Sequence, residues 1–177
     1  ADVSREDYGV SLLNRSKYGY DIKGNVIRLS LLRSPKWPDP TADRGKHSIE
    51  YSLYPHRNDW RTAGTVNRGY EYNNPLIGIL TNEHSGNLGV QSSFVQLSPA
   101  HLVLTTVKKA EDSDSWIFQI YDSKGEESMA QLRLSRVPKK VFLSSVMEED
   151  GEPVKFENNI VKVLVTKNST LTLKVYF

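Results

Sequence analysis

The sequence predicts an all-β chain: an antiparallel β-sandwich or supersandwich piece with one short helix, followed by a small terminal β-sandwich. Three observations carry this. Apolar and polar residues alternate over many short runs, turn residues separate the runs about every ten residues, and helical periodicity occurs once. Ile27, Leu29 and Leu31 alternate with Arg28 and Ser30, and Ile49, Tyr51 and Leu53 with Ser48, Glu50 and Ser52. Near the end, Val161, Val163 and Val165 share one face, as do Leu171, Leu173, Val175 and Phe177. Between these, 101–108, 116–121, 130–135 and 140–145 have the length and composition of strands. Lys23-Gly24-Asn25, Ser123-Lys124-Gly125, Asp150-Gly151 and Asn158-Asn159 supply turns. Strands with one apolar face bury it by packing sheet against sheet.

The exception is 59–72, where Trp60, Ala63, Val66 and Tyr70 recur at helical intervals. This predicts a short helix with Asp59 as N-cap and Asn73-Asn74-Pro75 as its stop. Gly64 and Gly69 oppose it, each by up to about 1 kcal/mol relative to Ala. The polar, Gly- and Asn-rich run 81–89 reads as a loop. A seam at Leu97-Ser98-Pro99 divides the chain into 1–97, with few strands and long loops, and 98–177, with enough short strands for a sandwich. The first region is expected to belong to a sheet system completed elsewhere, since an open apolar sheet associates with whatever covers it. Other domains of a longer polypeptide, or a second copy in a homo-oligomer, would serve.

Composition excludes several classes. Hydrophobic residues make up 38% and charged residues 25%, which is ordinary for a globular domain. A net charge of +2, without an Arg-rich helix, does not suit a nucleic-acid partner. No apolar run is long enough to span a membrane, and the polar start at 1–7 is no signal peptide. Beginning at Ala1 fits either a cut from a longer polypeptide or removal of an initiator methionine. There are no cysteines, which removes disulfides and thiolate sites and favours the cytoplasm. The sequons at Asn14 and Asn168 are too short to place the protein outside the cell.

Few residues suggest chemistry. Arg33 follows Ile27, Leu29 and Leu31 in phase, so it falls on the face expected to be buried. A charge there needs a carboxylate inside the domain or a ligand at the sheet edge. The Pro-braced loop after it holds Trp37, Asp39 and Asp43, followed by Arg44. The two aspartates are an acid/base pair, cation ligands or turn caps; retaining glycoside hydrolysis needs carboxyls about 5–5.5 Å apart. Trp37 is the one tryptophan expected at the surface, where it would offer a sugar-stacking platform; Trp116, in phase with Phe118 and Ile120, is expected in the core, and Trp60 packs the helix down. Among His47, His56, His84 and His101 no metal-binding spacing occurs. His56, ending a strand beside the helix, has the best claim to a role. No nucleophile elbow, P-loop or dinucleotide fingerprint is present, and no catalytic residue is assigned.

The run Leu12-Leu13-Asn14-Arg15-Ser16-Lys17-Tyr18-Gly19-Tyr20-Asp21, then Ile27 through Pro35, resembles glycoside hydrolase family 38, the class II α-mannosidases. The likeness continues through Pro38-Asp39-Pro40-Thr41-Ala42-Asp43-Arg44-Gly45, Tyr51-Ser52-Leu53-Tyr54-Pro55-His56, Asp59-Trp60, Ala63-Gly64 and Asn74-Pro75-Leu76. Val107-Lys108-Lys109-Ala110-Glu111-Asp112 resembles the small terminal β-domain of the same enzymes. Arg15 departs from the pattern, which has an acidic residue there. The resemblance implies that 1–97 is part of the mannosidase supersandwich and 98–177 its terminal sandwich. It further implies that an N-terminal domain outside this chain holds the aspartate nucleophile and a divalent metal (zinc, in some members cobalt). The parent would cleave terminal α-mannose with retention, while this chain alone would be inactive. By its place in Leu31-Leu32-Arg33-Ser34, Arg33 matches the arginine that the family sends to its active site. Trp37, Asp39, Asp43 and His56 would shape loops near the mannose pocket or a domain contact. Two other readings are a stand-alone carbohydrate-binding sandwich and a structural or assembly domain.

Overall fold

Fourteen strands and one short helix realise the alternation in the computed structural model, which describes residues 1–177. The chain divides into two units, Ala1–Leu80 and Thr81–Phe177. The first contains β1 (Asp2–Ser4), β2 (Tyr8–Asn14), β3 (Tyr20–Lys23), β4 (Val26–Leu29), β5 (Tyr51–Arg57) and α1 (Thr65–Asn73). Strands β1, β2 and β5 form one antiparallel sheet in that order, and β3 and β4 a separate hairpin.

Register decides what each face of that sheet carries. Val10 lies opposite Val3 and Pro55, and Leu12 opposite Leu53. Because side chains alternate along a strand, Tyr8, Val10, Leu12, Tyr51 and Leu53 share one face. That face is apolar and largely open, with Tyr8 57%, Tyr51 55% and Leu53 60% exposed. Asp2, Ser4, Gly9, Ser11, Tyr54 and His56 share the other, which is polar and closed.

A hydrogen-bonded chain closes it. The Ser11 hydroxyl donates to Asp2 Oδ2 at 2.6 Å. A hydroxyl has one proton, so the Thr65 hydroxyl of α1, 2.7 Å away, donates to Ser11 in turn. His56 Nε2 donates to the same Asp2 oxygen at 2.8 Å, and its side chain is only 2% exposed. Its Nδ1 faces the Asn58 carbonyl at 3.1 Å and the Arg57 carbonyl at 3.3 Å. Carbonyls only accept, so both ring nitrogens carry protons and His56 is an imidazolium paired with a carboxylate. Burial alone would lower the His56 pKa, but the Asp2 hydrogen bond, the carbonyl of Arg57 and the charge of Asp2 outweigh it and raise the value. Burial would likewise raise the Asp2 carboxyl; hydrogen bonding by Ser11 and His56, with the Ser4 hydroxyl nearby, holds it below its ordinary value. The other oxygen, Asp2 Oδ1, is buried without a hydrogen-bond partner. Gly9 makes the close approach possible. A Cβ there would lie 2.4 Å from Ser4 Cβ and 2.5 Å from His56 Cε1, distances no side chain tolerates.

The helix is shorter than the sequence predicts. Asp59 does cap, but what it caps is a turn: its carboxylate accepts the Thr62 N–H at 2.8 Å and its carbonyl the Ala63 N–H at 2.9 Å. Gly64 then takes the left-handed region (φ 66°), which breaks the helical path, and α1 starts at Thr65. The Tyr54 hydroxyl ties this turn to β5 through the Ala63 carbonyl at 3.2 Å.

The second unit contains β6 (Val95–Ser98), β7 (Leu102–Lys109), β8 (Trp116–Asp122), β9 (Ser128–Leu134), β10 (Lys140–Ser144), β11 (Asp150–Pro153), β12 (Phe156–Glu157), β13 (Ile160–Val165) and β14 (Thr170–Tyr176). Sheets β11-β10-β14-β8-β7 and β12-β13-β9-β6 are antiparallel throughout. Their inner faces supply one core in which Ile120, Ala130, Leu132, Val161, Val165, Leu173 and Val175 are fully buried. Strand β6 pairs with β9 inside this unit, so the sandwich takes its first strand from residues ahead of the Leu97-Ser98-Pro99 seam. Lys174, with 3% of its side chain exposed, reaches Asp112 at 3.1 Å and the Glu148 carbonyl at 2.7 Å, which satisfies its charge.

Leu132→Ala is expected to destabilise the second unit by about 2–5 kcal/mol, read by denaturant unfolding. In the first unit the Asp2–His56 pair predicts a pH window. Asp2, with its lowered pKa, contributes stability above the unfolded value of about 3.9 and loses it as pH falls through the folded value. His56, with its raised pKa, contributes fully below about 6.5 and loses it as pH rises through the folded value. Stability of this unit is therefore expected to be greatest between those limits. Asp2→Asn should cost about 1–3 kcal/mol there and flatten the alkaline decline.

Candidate functional site

The segment between β4 and β5 carries four of the five candidate residues. Strand β4 stops at Leu29 because its partner β3 begins at Tyr20, and Ser30 N–H closes the hairpin on the Gly19 carbonyl at 2.8 Å. Beyond that point no strand pairs with the chain. The sequence places Arg33 on a buried strand face, and here the structure corrects it: the alternation outlasts the strand, and Arg33 is exposed in unpaired chain. Leu31 and Leu32 beside it are 42% and 43% exposed. The guanidinium enters none of the chain's ion pairs, so the structural pair weighed for it is absent.

The loop holds its shape through its two aspartates. Asp39 Oδ1 accepts the Thr41 backbone N–H at 2.8 Å and the Thr41 hydroxyl at 2.7 Å. These hydrogen bonds to Thr41 hold its carboxyl below the usual range. Asp43 Oδ2 accepts the Ser34 N–H at 2.8 Å, and its carbonyl lies 2.8 Å from His47 Nε2. Both side chains thus serve as turn caps that bring 34 back against 43, which leaves Arg33 at the root of a fixed loop. Trp37, 85% exposed, stands out from it. His56 lies apart from these four, on β5 in the buried pair with Asp2. Its arrangement differs from a nucleophilic triad, because the Ser11 hydroxyl donates to the aspartate and not to the imidazole.

Sequence reading missed one feature of this unit. A cleft of about 670 Å³ opens between β2, the Tyr18–Tyr20 turn and α1, with Leu12, Tyr18, Thr65, Gly69, Tyr70 and Asn73 on its walls. Tyr18 and Tyr70 were visible in sequence, yet nothing local places them across from each other. In the second unit an apolar cavity of about 550 Å³ lies at one end of the sandwich, lined by Phe94, Val107, Trp116, Leu134 and Phe177. Trp116, expected in the core, is 38% exposed at its mouth because it is the first residue of β8. No three His, Asp or Glu side chains converge into a metal-ligand set.

Comparison with known proteins gives this geometry a family. Residues 1–41 match the glycosyl hydrolases family 38 C-terminal domain, and residues 101–176 the family 38 C-terminal beta sandwich domain. The chain is 37% identical over 152 residues to alpha-mannosidase G of Dictyostelium discoideum, covering 85% of this chain and 14% of that protein. It is 37% identical over 150 residues to alpha-mannosidase 2C1 of Homo sapiens, covering 83% and 14%. It thus spans about one-seventh of the length of these relatives. An alpha-mannosidase crystal structure from Enterococcus faecalis V583 shares the fold, with a TM-score of 0.75 at 18% identity over 99% of this chain and 20% of that one. No helix here is long and apolar enough to cross a membrane. With both units matched by its C-terminal models, the chain belongs to glycoside hydrolase family 38 as a C-terminal region.

Proposed function

We propose that this chain is the non-catalytic C-terminal part of a retaining α-mannosidase, completing the active-site wall with Arg33 and supporting the catalytic domain. The observation that carries this is the state of Arg33. It is exposed, without an ion pair, and held at the root of a loop that Asp39 and Asp43 fix, within the segment matched by the family model. A guanidinium left free by its own fold offers a rigid fork of N–H donors to sugar hydroxyls or to a carboxylate of another domain. In the parent, a carboxylate attacks the anomeric carbon as the glycosidic C–O bond breaks, and water then cleaves the mannosyl ester. That nucleophile and the divalent metal (zinc or cobalt) would come from polypeptide outside these residues. The open apolar face of β1, β2 and β5 supports the same reading, since burial by a neighbouring domain removes Tyr51 and Leu53 from water. The absence of cysteine supports a cytoplasmic parent.

A second reading, a sugar-binding module, is favoured by one observation, the exposed indole of Trp37. Titrating the chain alone with α-mannosides separates the two: saturable binding lost in Trp37→Ala supports the module, and no binding supports the wall.

The chain alone is expected to release no mannose from aryl α-mannosides. In the parent enzyme, Arg33→Ala should lower kcat/KM roughly ten- to a hundred-fold, the loss of charge-assisted hydrogen bonds worth about 1.5–3 kcal/mol, with an unchanged melting profile. Arg33→Lys should recover part of this. Kinetics unaffected by Arg33→Ala would remove Arg33 from the site.

A further inference from the structure

Two edges of the second unit meet and leave a gap. β7 ends one sheet, β6 ends the other, and the two strands touch. Val107 of β7 lies opposite Phe118 of β8, and Trp116, two residues before Phe118, shares its face. On the other sheet, Val95 of β6 lies opposite Leu134 of β9. Phe118 and Leu134 are core residues, each 2% exposed, so these are the inner faces of both sheets. Val107 and Trp116, on that same inner side, are nevertheless 44% and 38% exposed. The gap beside them is the apolar cavity of about 550 Å³, which Phe94 and Phe177 also line.

The polar side chains on its wall are few and free. The Ser135 hydroxyl makes no hydrogen bond within the chain, and Arg136, which is exposed, makes no ion pair. The Arg136 guanidinium lies over the Phe177 ring, 4.8 Å from its centroid. Such stacking uses the face of the guanidinium and leaves the N–H fork in its plane available to an anion. Lys109, opposite Trp116, is already paired with Asp114 at 2.6 Å, so Arg136 is the charge left uncompensated there.

We propose that this cavity binds a small amphipathic carboxylate, whose hydrocarbon body lies between the sheets and whose carboxylate pairs with Arg136. Small-molecule sites are cavities of about 300–1,000 Å³ with apolar walls and a few convergent polar groups, and this one has that size and makeup. A hydrocarbon body takes Val107 and Trp116 out of water, which is the favourable term. A sugar suits the cavity poorly, because most of its hydroxyls would be buried against Val95, Val107 and Leu134 without hydrogen-bond partners. The charge of Arg136 selects an anion over an alcohol or an amine, and its fork of donors matches the two oxygens of a carboxylate. The inference rests on the second unit alone and is independent of the sugar-facing role of Arg33.

The test titrates the 177-residue chain with octanoate, and with 1-octanol as its uncharged counterpart, followed by NMR. Octanoate should shift the Trp116 indole N–H and the Val107 methyls saturably. Octanol should bind at the same residues about tenfold more weakly, the difference that a charge-assisted pair makes. Arg136→Gln should bring octanoate down to the octanol level, and Val107→Trp, which fills the cavity, should abolish binding of both. Equal affinity of the two ligands for the unmodified chain overturns the proposal, whatever the fate of the variants. So does octanoate that shifts Tyr51 and Leu53 on the open face of the first unit but not Trp116. A Trp116 signal that broadens with protein concentration before any ligand is added overturns it too, since a second copy would then cover the cavity.

Discussion

The N-terminal unit depends on a buried charge pair. His56 is held between Asp2 and two backbone carbonyls, and the same carboxylate oxygen takes the Ser11 hydroxyl, which Thr65 anchors to α1. Four elements, β1, β2, β5 and α1, meet at that one oxygen or one bond away from it. The arrangement inverts the usual sheet, whose apolar face is inward and polar face outward. Here the polar face is sealed by a helix with no fully buried residue of its own, and the apolar face is left to be covered. A unit of this kind is specified by hydrogen bonds and completed by contact.

The C-terminal unit works on the opposite principle. Its two sheets turn their apolar faces to each other, and every core residue comes from its own strands. Its buried polar groups are satisfied locally. Lys174 is paired with Asp112, while the Asp122 carboxylate accepts the N–H groups of Lys124, Gly125, Glu126 and Asn168 and so staples two turns together. Such a domain closes alone, whereas the first is shaped for neighbours.

That difference decides what could be read from sequence. Period-two alternation located β7, β8, β9, β10, β13 and β14 to within a residue or two, but it missed the short strands β6, β11 and β12, and Asp150-Gly151, read as a turn, opens β11. In the first unit the same signal misled at Arg33. The run Ile27, Leu29, Leu31 keeps its phase after β3 has ended, so alternation persisted where pairing did not. The helix start failed for a local reason, since Asp59 is a sound cap but the left-handed Gly64 interrupts the path. The Asp2–His56 pair was beyond sequence reading, for its partners are far apart along the chain and Asp2 carries no motif. Gly9 was its one trace, a glycine inside a strand that marks a close approach. Phase and loop composition brought Arg33, Trp37, Asp39 and Asp43 into consideration, and the family likeness added a role for Arg33; the structure shows the aspartates serving the loop and leaves Arg33 and Trp37 facing solvent.

Function follows from what the first unit leaves unfinished. An apolar sheet face and an exposed arginine without an ion pair are the two surfaces this unit leaves open, and the proposed function rests on them. The apolar face belongs to a sheet whose other face is organised around His56. The most direct measurement is the protonation of that imidazole by nitrogen-15 NMR, in a buffer above the ordinary histidine range of about 6.5. Both ring nitrogens are expected to carry protons there, with signals that shift on Asp2→Asn. A neutral His56 with one bare nitrogen, indifferent to Asp2, would contradict it.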